Sequence, residues 1–445
     1  MIRDLLARAL GATAALFYRV ERAGQPYPPG PLVVAANHPN ALLDPLMVFL
    51  SAGRLVQPLA KAPLFSHPVI GVALRALGGL PVFRRQDDPD LMGRNERTFE
   101  AAIAALAGGG AIQIFPEGQS HSGSELAPLK TGAARIALQA EAAHGWRLGV
   151  KIVPVGLTYA RKTFFRGDAL ALVGEAIVAG DLRSAYERDP GEAVRDLTAR
   201  IEGGLRAVTV NLPTPEERRL VDTAERIWAR EKGAAAWRER AALGDRVPRL
   251  QAFASGLAWL GEHAPERRAA LAARVARYRR IADALGAGDA ADIPARTGPL
   301  QVLHYVVVRV LPLVAAAALA GLGAAFWVVP YLVPRAVLRF ADLREDEIAT
   351  WKLVPAALAY PVTYAAWLFL AWRAGGPAAA AAAAVVLPAL GVIAIAWREG
   401  IRAASEDARL FLRSAGRKDT IARLVSEREA LVAEFDAVAE RAGIG

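Results

Sequence analysis

Apolar side chains recur at helical spacing from the first residues onward, at Ile2, Leu5, Leu6, Ala9, Leu10, Leu16, Phe17 and Val20. Asp4, Arg8 and Arg19 mark the other face. The pattern predicts an amphipathic helix over 2–20. Its longest uncharged run, Ala9 to Tyr18, is too short to cross a bilayer. Residues 1–25 therefore read as a helix lying at a membrane surface, or as one packed on the domain that follows.

After the Pro/Gly turn cluster at 25–30 the periodicity changes. Short apolar runs at 32–36, 54–59, 80–83, 111–115, 150–157 and 169–173 predict strands. Helical patterns at 45–52, 68–77, 90–107, 131–144 and 190–208 alternate with them. Residues 26–212 thus form an expected α/β domain, a mixed and largely buried sheet flanked by helices. Residues 213–300 are charged and helical, with apolar marks such as Leu220, Ile227, Trp228, Leu257, Leu260, Val275 and Tyr278, and predict a helical module. Residues 401–445 repeat that character along Ile421, Leu424, Val425, Leu431, Val432, Phe435 and Val438, a face suited to the module or to another subunit.

Between them, residues 301–400 form the expected membrane region. Leu311 to Val329, Leu353 to Trp372 and Ala374 to Trp397 are uncharged, and each can cross a core about 30 Å thick. Arg335, Arg339, Arg344 and Lys352 lie between the first and second, whereas only Arg373 lies between the second and third. The positive-inside rule puts the first loop and the Arg-rich tail in the cytoplasm. The last two segments then form a transmembrane hairpin. The first must begin and end on one side, which predicts a re-entrant or interfacial hairpin; three ordinary spans are the alternative.

Composition supports a membrane setting. The chain has 445 residues, is 54% hydrophobic and carries net charge +10. Its mean hydropathy is +0.24 and its pI about 10.1. That balance suits anionic lipid or anionic substrates. No nucleic-acid-binding signature accompanies it. There is no Cys, which excludes disulfides, thiolate catalysis and Cys-based metal sites. The six His show no metal-ligand spacing, and no metal or cofactor is expected.

Four short stretches carry candidate chemistry. Asn37-His38-Pro39-Asn40-Ala41-Leu42-Leu43-Asp44-Pro45 follows the first strand. Pro39 holds His38 out of helical geometry, and Asp44 before Pro45 reads as a helix N-cap. A carboxylate can fix an imidazole's tautomer for work as a base; a capping Asp beside an incidental His is the plain alternative. Pro81-Val82-Phe83-Arg84-Arg85 is a strand ending in two guanidiniums, which bind phosphate as forks or serve as surface charge. Phe115-Pro116-Glu117-Gly118-Gln119-Ser120 breaks a buried strand at a carboxylate in a glycine turn. Lys151-Ile152-Val153-Pro154-Val155 is a proline-bearing strand, a pocket wall or plain core.

In this order the four stretches resemble the blocks of the glycerophosphate and lysophosphatidate acyltransferase superfamily. Five residues separate His38 from Asp44, where the widespread form has four. This spacing is similar to the branch of yeast-type glycerol-3-phosphate and dihydroxyacetone-phosphate acyltransferases. The second block has Phe83 where an acidic residue is common. The resemblance implies His38 as base and Asp44 as its orienting acid. It implies Arg84, with Arg85 and Lys130, on the acceptor phosphate, and Glu117 and Gly118 shaping the acceptor site. Asn37 would buttress the His turn, and Ser120 would lie in the substrate site. The cosubstrate would be acyl-CoA or acyl carrier protein. The acceptor would be glycerol-3-phosphate, dihydroxyacetone phosphate or a lysophospholipid. The protein would sit in the inner, cytoplasmic membrane with its catalytic domain facing the cytoplasm. Two rival readings remain at this point. One is a serine-type lipid hydrolase, although Gly118-Gln119-Ser120-His121-Ser122-Gly123 has the wrong spacing for a nucleophile elbow. The other is a non-catalytic membrane lipid-binding scaffold.

Overall fold

The computed structural model describes residues 11–83, 93, 95–233, 242–285, 299–340, 343–414 and 417–444. The chain divides into two compact units. The first holds Met1–Pro215, Ala242–Gln251 and Leu343–Leu353; the second holds the rest.

Among the described residues, the first unit is built on one mixed sheet of eight strands. In chain order they are β1 (Tyr18–Gly24), β2 (Leu32–Ala36), β3 (Gln57–Lys61), β4 (Leu80–Val82), β5 (Ala111–Ile114), β6 (Lys151–Tyr159), β7 (Gly167–Val173) and β8 (Ile177–Val178). Their order in space is β1-β7-β6-β2-β5-β3-β4, with β8 also against β6. Pairings are parallel except β6 with β7 and with β8. β2 lies between β5 and β6, with Ala35 opposite both Ile114 and Pro154. All five of its residues are buried. Leu32, Val34 and Ala36 face one core with Leu43, Met47 and Val48, while Val33 and Ala35 face another with Ile136, Leu138, Leu197 and Ile201. An apolar run without alternation is what a strand covered on both faces requires.

Three expectations change. The N-terminal helix ends at residue 17, and Tyr18–Gly24 is an edge strand pairing in parallel with β7. Phe17 and Tyr18 are buried in the core, so burial and ladder hydrogen bonds outweigh the helical pattern that continued to Val20. Residues 1–10 lie outside the described residues. The strand expected at 54–59 is shifted to Gln57–Lys61. Asp44 is not an N-cap: the helix Leu43–Ala52 begins two residues earlier than expected and Leu42 stands at the cap. Asp44 and Pro45 occupy the first turn, where backbone N–H groups lack partners inside the helix, so Pro45 costs nothing there.

In the second unit, Ala224, Ile227, Leu260, Leu271, Val275, Tyr278, Leu424, Leu431 and Phe435 form one core. The C-terminal helix Lys418–Ala442 therefore packs on the helical module. Arg274 pairs with Glu427 at 2.9 Å, and Arg428 with Glu231 at 2.7 Å.

Candidate active site

Parallel strands β2 and β5 end side by side, and each continues into a motif turn. Loops beyond the carboxyl ends of parallel strands are where α/β sheets gather functional groups. β2 delivers Asn37 and His38; β5 delivers Phe115 to Gly118. Asn37 extends the sheet with its side chain. Its Nδ2 donates to the Leu157 carbonyl at 3.1 Å, and the Leu157 N–H donates to its Oδ1 at 2.6 Å.

The turn then brings the imidazole onto the buried carboxylate. His38 Nδ1 lies 2.8 Å from Asp44 Oδ2. The Asp44 side chain is fully buried, and that of His38 is 18% exposed. A carboxylate at Nδ1 fixes that nitrogen as the N–H and leaves Nε2 to accept a proton. Among the described residues Nε2 has no hydrogen-bond partner. The ring stacks on Phe115, with 4.0 Å between centroids and 13° between planes. Ala41, at φ 36°, turns the chain so that Asp44 returns beneath His38. Such a conformation is uncommon for a residue with a Cβ, and its neighbours' contacts hold it.

Asp44 is itself braced. Its Oδ2 also accepts from the Asn40 N–H at 2.7 Å, and its Oδ1 from the Tyr159 hydroxyl at 2.6 Å. Asn40 Nδ2 donates to the Tyr18 hydroxyl at 2.8 Å, and Tyr18 donates to the Lys162 carbonyl. Burial first, then the Asp44 charge, pushes the Tyr159 hydroxyl well above its usual range, so it stays a donor. Burial likewise raises Tyr18, against the hydrogen bond from Asn40.

Glu117 is buried beneath the same turn. Its Oε1 accepts the His38 N–H at 2.8 Å; its Oε2 accepts the Ala127 N–H at 2.8 Å and meets His121 Nε2. The His121 N–H returns to the His38 carbonyl at 3.0 Å. Glu117 thus holds the backbone of His38 from below. Gly118 follows at φ +76°, which favours glycine, and the stem of Lys130 packs over it. Lys130 is exposed, and its N–H donates to the Pro116 carbonyl at 2.7 Å.

Ser120 is paired with a carboxylate and not with a histidine. Its Oγ donates to Asp346 Oδ2 at 2.5 Å, and Asp346 also accepts from Arg344 at 3.2 Å. Residues 343–353 press on the motif turns elsewhere too: the Leu42 N–H reaches Thr350 Oγ1 at 3.3 Å, and Lys352 donates to the Thr163 carbonyl. Lys162 adds a cation, 3.8 Å from Glu345. Burial lowers its pKa, while Glu345, Asp346 and Asp44 act the other way. Arg84 and Arg85 lie outside the described residues; β4 ends two residues before them, and the Phe83 N–H is held by Asn95 Oδ1 at 2.9 Å.

Sequence reasoning missed Tyr18, Asn40, Tyr159, Asp346 and Thr350. Tyr159 had a signal, since it continues the strand of the fourth block two residues past the expected end. Among the described residues no group of three or more His, Asp or Glu could hold a metal ion.

Residues 19–158 match the family model described as Acyltransferase. Glycerol-3-phosphate O-acyltransferase 2 of Saccharomyces cerevisiae is 28% identical over 291 residues, covering 62% of this chain and 38% of that protein. Glycerol-3-phosphate O-acyltransferase 1 of the same yeast is 36% identical over 126 residues, 28% of this chain and 16% of its own. A chloroplastic 1-acyl-sn-glycerol-3-phosphate acyltransferase of Brassica napus is 31% identical over 127 residues, 28% and 33% of the two chains. The matches take in less than half the length of each of these relatives.

Proposed function

We propose, from the match of residues 19–158 to the family model described as Acyltransferase, that the chain moves a fatty acyl chain from a thioester donor to a hydroxyl of a phosphate-bearing glycerol acceptor. The His38–Asp44 contact at 2.8 Å carries this reading. His38 Nε2 takes the proton of the acceptor hydroxyl as its oxygen attacks the thioester carbonyl. Asp44 stabilises the imidazolium that forms. Collapse of the tetrahedral intermediate breaks the C–S bond, and the departing thiolate receives the proton from His38. The ester and the free thiol balance the reaction. No enzyme nucleophile is needed, because the acceptor supplies it.

Arg84, with Arg85 and Lys130, binds the acceptor phosphate in this proposal. The donor is acyl-CoA or acyl carrier protein. The acceptor is glycerol-3-phosphate, dihydroxyacetone phosphate or a lysophospholipid. The product belongs to phospholipid synthesis. Among the described residues two helices are long and apolar enough to cross a membrane, and the arginine bias around them favours the inner membrane with the domain on its cytoplasmic side. The serine-hydrolase alternative is disfavoured, because Ser120 donates to Asp346 and not to a histidine.

The test is an assay of the purified full chain in detergent. Glycerol-3-phosphate, dihydroxyacetone phosphate and lysophosphatidate are each offered with labelled acyl-CoA and with labelled acyl carrier protein. Transfer to one of these acceptors is expected. No turnover with any pair would overturn the proposal and favour a lipid-binding scaffold.

A further inference from the structure

Two apolar systems in the second unit differ in depth. Ile348–Ser414, which belongs to this unit from Val354 on, is two helices joined at Gly375 and Gly376. Gly376 turns the chain at φ 69° and ψ −163°, a conformation essentially confined to glycine. The helices run back along each other, and the Tyr364 hydroxyl donates to the Ala384 carbonyl at 2.8 Å. From Pro377 to Trp397 the returning helix is uncharged. At 1.5 Å per residue that is ~31 Å, the thickness of a hydrocarbon core.

The apolar helix Leu311–Phe326 does not run that distance beside it. The approach to this helix lies against the charged continuation of the hairpin, since the Tyr305 hydroxyl donates to Asp407 at 2.6 Å. Trp397 Nε1 then donates to the Leu313 carbonyl at 2.7 Å. Ten residues on, a Cβ on Gly323 would lie 2.2 Å from the Leu390 carbonyl oxygen. Trp327 Nε1 donates to the Leu387 carbonyl at 2.9 Å, and its ring stacks on Tyr360 with 5.5 Å between centroids. Leu387 is ten residues from Trp397, so this point is ~15 Å deep, about midway.

There the helix breaks. Trp327 adopts φ −105° and ψ 12°, and Pro330 follows, lacking an N–H and crowding the preceding turn. The next helix, Val328–Arg339, heads back: the Tyr331 ring is 5.3 Å from the Arg398 guanidinium, one residue beyond Trp397. Connectivity agrees. Pairing of Tyr364 with Ala384 places Gly400 at the open end of the hairpin. A Cβ on Gly400 would meet the Leu313 side chain, so the first arm starts at that end.

We infer that Leu311–Arg339 is a re-entrant helix pair, entering and leaving one face of a bilayer, whose partner is the acyl chains of that leaflet. Leu311, Val314, Leu322, Val329 and Leu332 are exposed along both arms. Arg309 precedes the first arm, and Arg335 and Arg339 close the second, where anionic headgroups would hold them. Helical backbone keeps its hydrogen bonds internal, which lipid contact demands. Arg309, Arg335, Arg339, Arg398 and Arg402 then share one side, and Arg373 marks the other, as the positive-inside bias requires.

The chain has no Cys, so single cysteines report cleanly. Arg309→Cys, Phe340→Cys and Arg373→Cys variants of the full chain are labelled with a membrane-impermeant maleimide in right-side-out and inverted vesicles. The first two are expected to label in the same vesicles, and Arg373→Cys only in the others. Labelling of Arg309→Cys and Phe340→Cys from opposite sides would show a straight span and overturn the inference. Arg339→Cys serves if Phe340→Cys does not accumulate. A spin label on Val328→Cys is expected to lie within the hydrocarbon, protected from aqueous nickel and open to oxygen. A label at headgroup depth would make the segment interfacial and also overturn the inference.

Discussion

The backbone N–H of His38 lies 2.8 Å from Glu117 Oε1, so the carboxylate of one motif holds the main chain of another. The two motifs end adjacent parallel strands, and Glu117 joins them beneath the site. A buried carboxylate left with fewer donors than it needs is costly, and one with three is stable.

Glu117→Gln tests this brace. An amide can accept at one end only, and its NH₂ would confront either the His38 N–H or the Ala127 N–H. We expect a stability loss of about 2–3 kcal/mol and a fall in kcat at unchanged donor KM. Thermal melting and steady-state kinetics read the two together. Lost acceptor binding with normal kcat and melting would assign Glu117 to substrate instead.

His38→Ala and Asp44→Asn should both abolish transfer, each by about 10²–10⁴-fold in kcat. Asp44→Asn should fold, because its oxygen can accept from His38 and Asn40 while its NH₂ donates to the Tyr159 hydroxyl. The charge that supports the imidazolium is then gone. Membrane association should persist in both variants, as sedimentation with vesicles would show. Retained turnover in both would refute the assigned base.

Much of this arrangement was legible in the chain. Leu32–Ala36 and Ala111–Ile114 were readable as buried strands because both faces are covered, and His38 and Glu117 stood out where prolines end those runs. That the two strands are neighbours was not legible, since β3 and β4 intervene in sequence but lie outside them in space. Tyr18 reads as helix in the sequence because an apolar period of 3.6 runs into an edge strand. Asp346 and Thr350 sat in a stretch whose charge pattern suggested only a membrane loop. Their contacts with Ser120 and Leu42 span more than 200 positions, and no local pattern records such a pairing.

Arg84→Ala should chiefly raise the acceptor KM, with kcat less affected, because a phosphate clamp binds ground and transition states alike. The comparison is kinetic, with the acceptor varied at saturating donor. An unchanged KM would remove Arg84 from the phosphate site.

Ser120→Ala should be mild. It removes one hydrogen bond to Asp346, worth about 1 kcal/mol, and Arg344 remains on that carboxylate at 3.2 Å. Turnover should stay within about an order of magnitude of the parent, a barrier change near 1.4 kcal/mol. Complete loss, with an acyl-enzyme trapped on the parent serine, would restore the hydrolase reading.

Tyr159→Phe separates the brace on Asp44 by pH. Below pH 10 both folded and unfolded tyrosine hold their protons, so the hydrogen bond to Asp44 is fully present. Its loss should cost about 1.5–3 kcal/mol, as for a bond to a charged group. Above the usual tyrosine pKa of 10.0 the unfolded chain releases the Tyr159 proton, whereas burial and the Asp44 charge make the fold retain it. The unfolded state then binds fewer protons, and the parent loses stability as pH rises. The phenylalanine variant has no such proton, so its stability should fall by up to one proton less per pH unit. The two should converge above pH 10, in melting experiments from pH 7 to 11. Parallel curves across that range would show that Tyr159 ionises in the fold as freely as in water, and would remove it from the network holding Asp44.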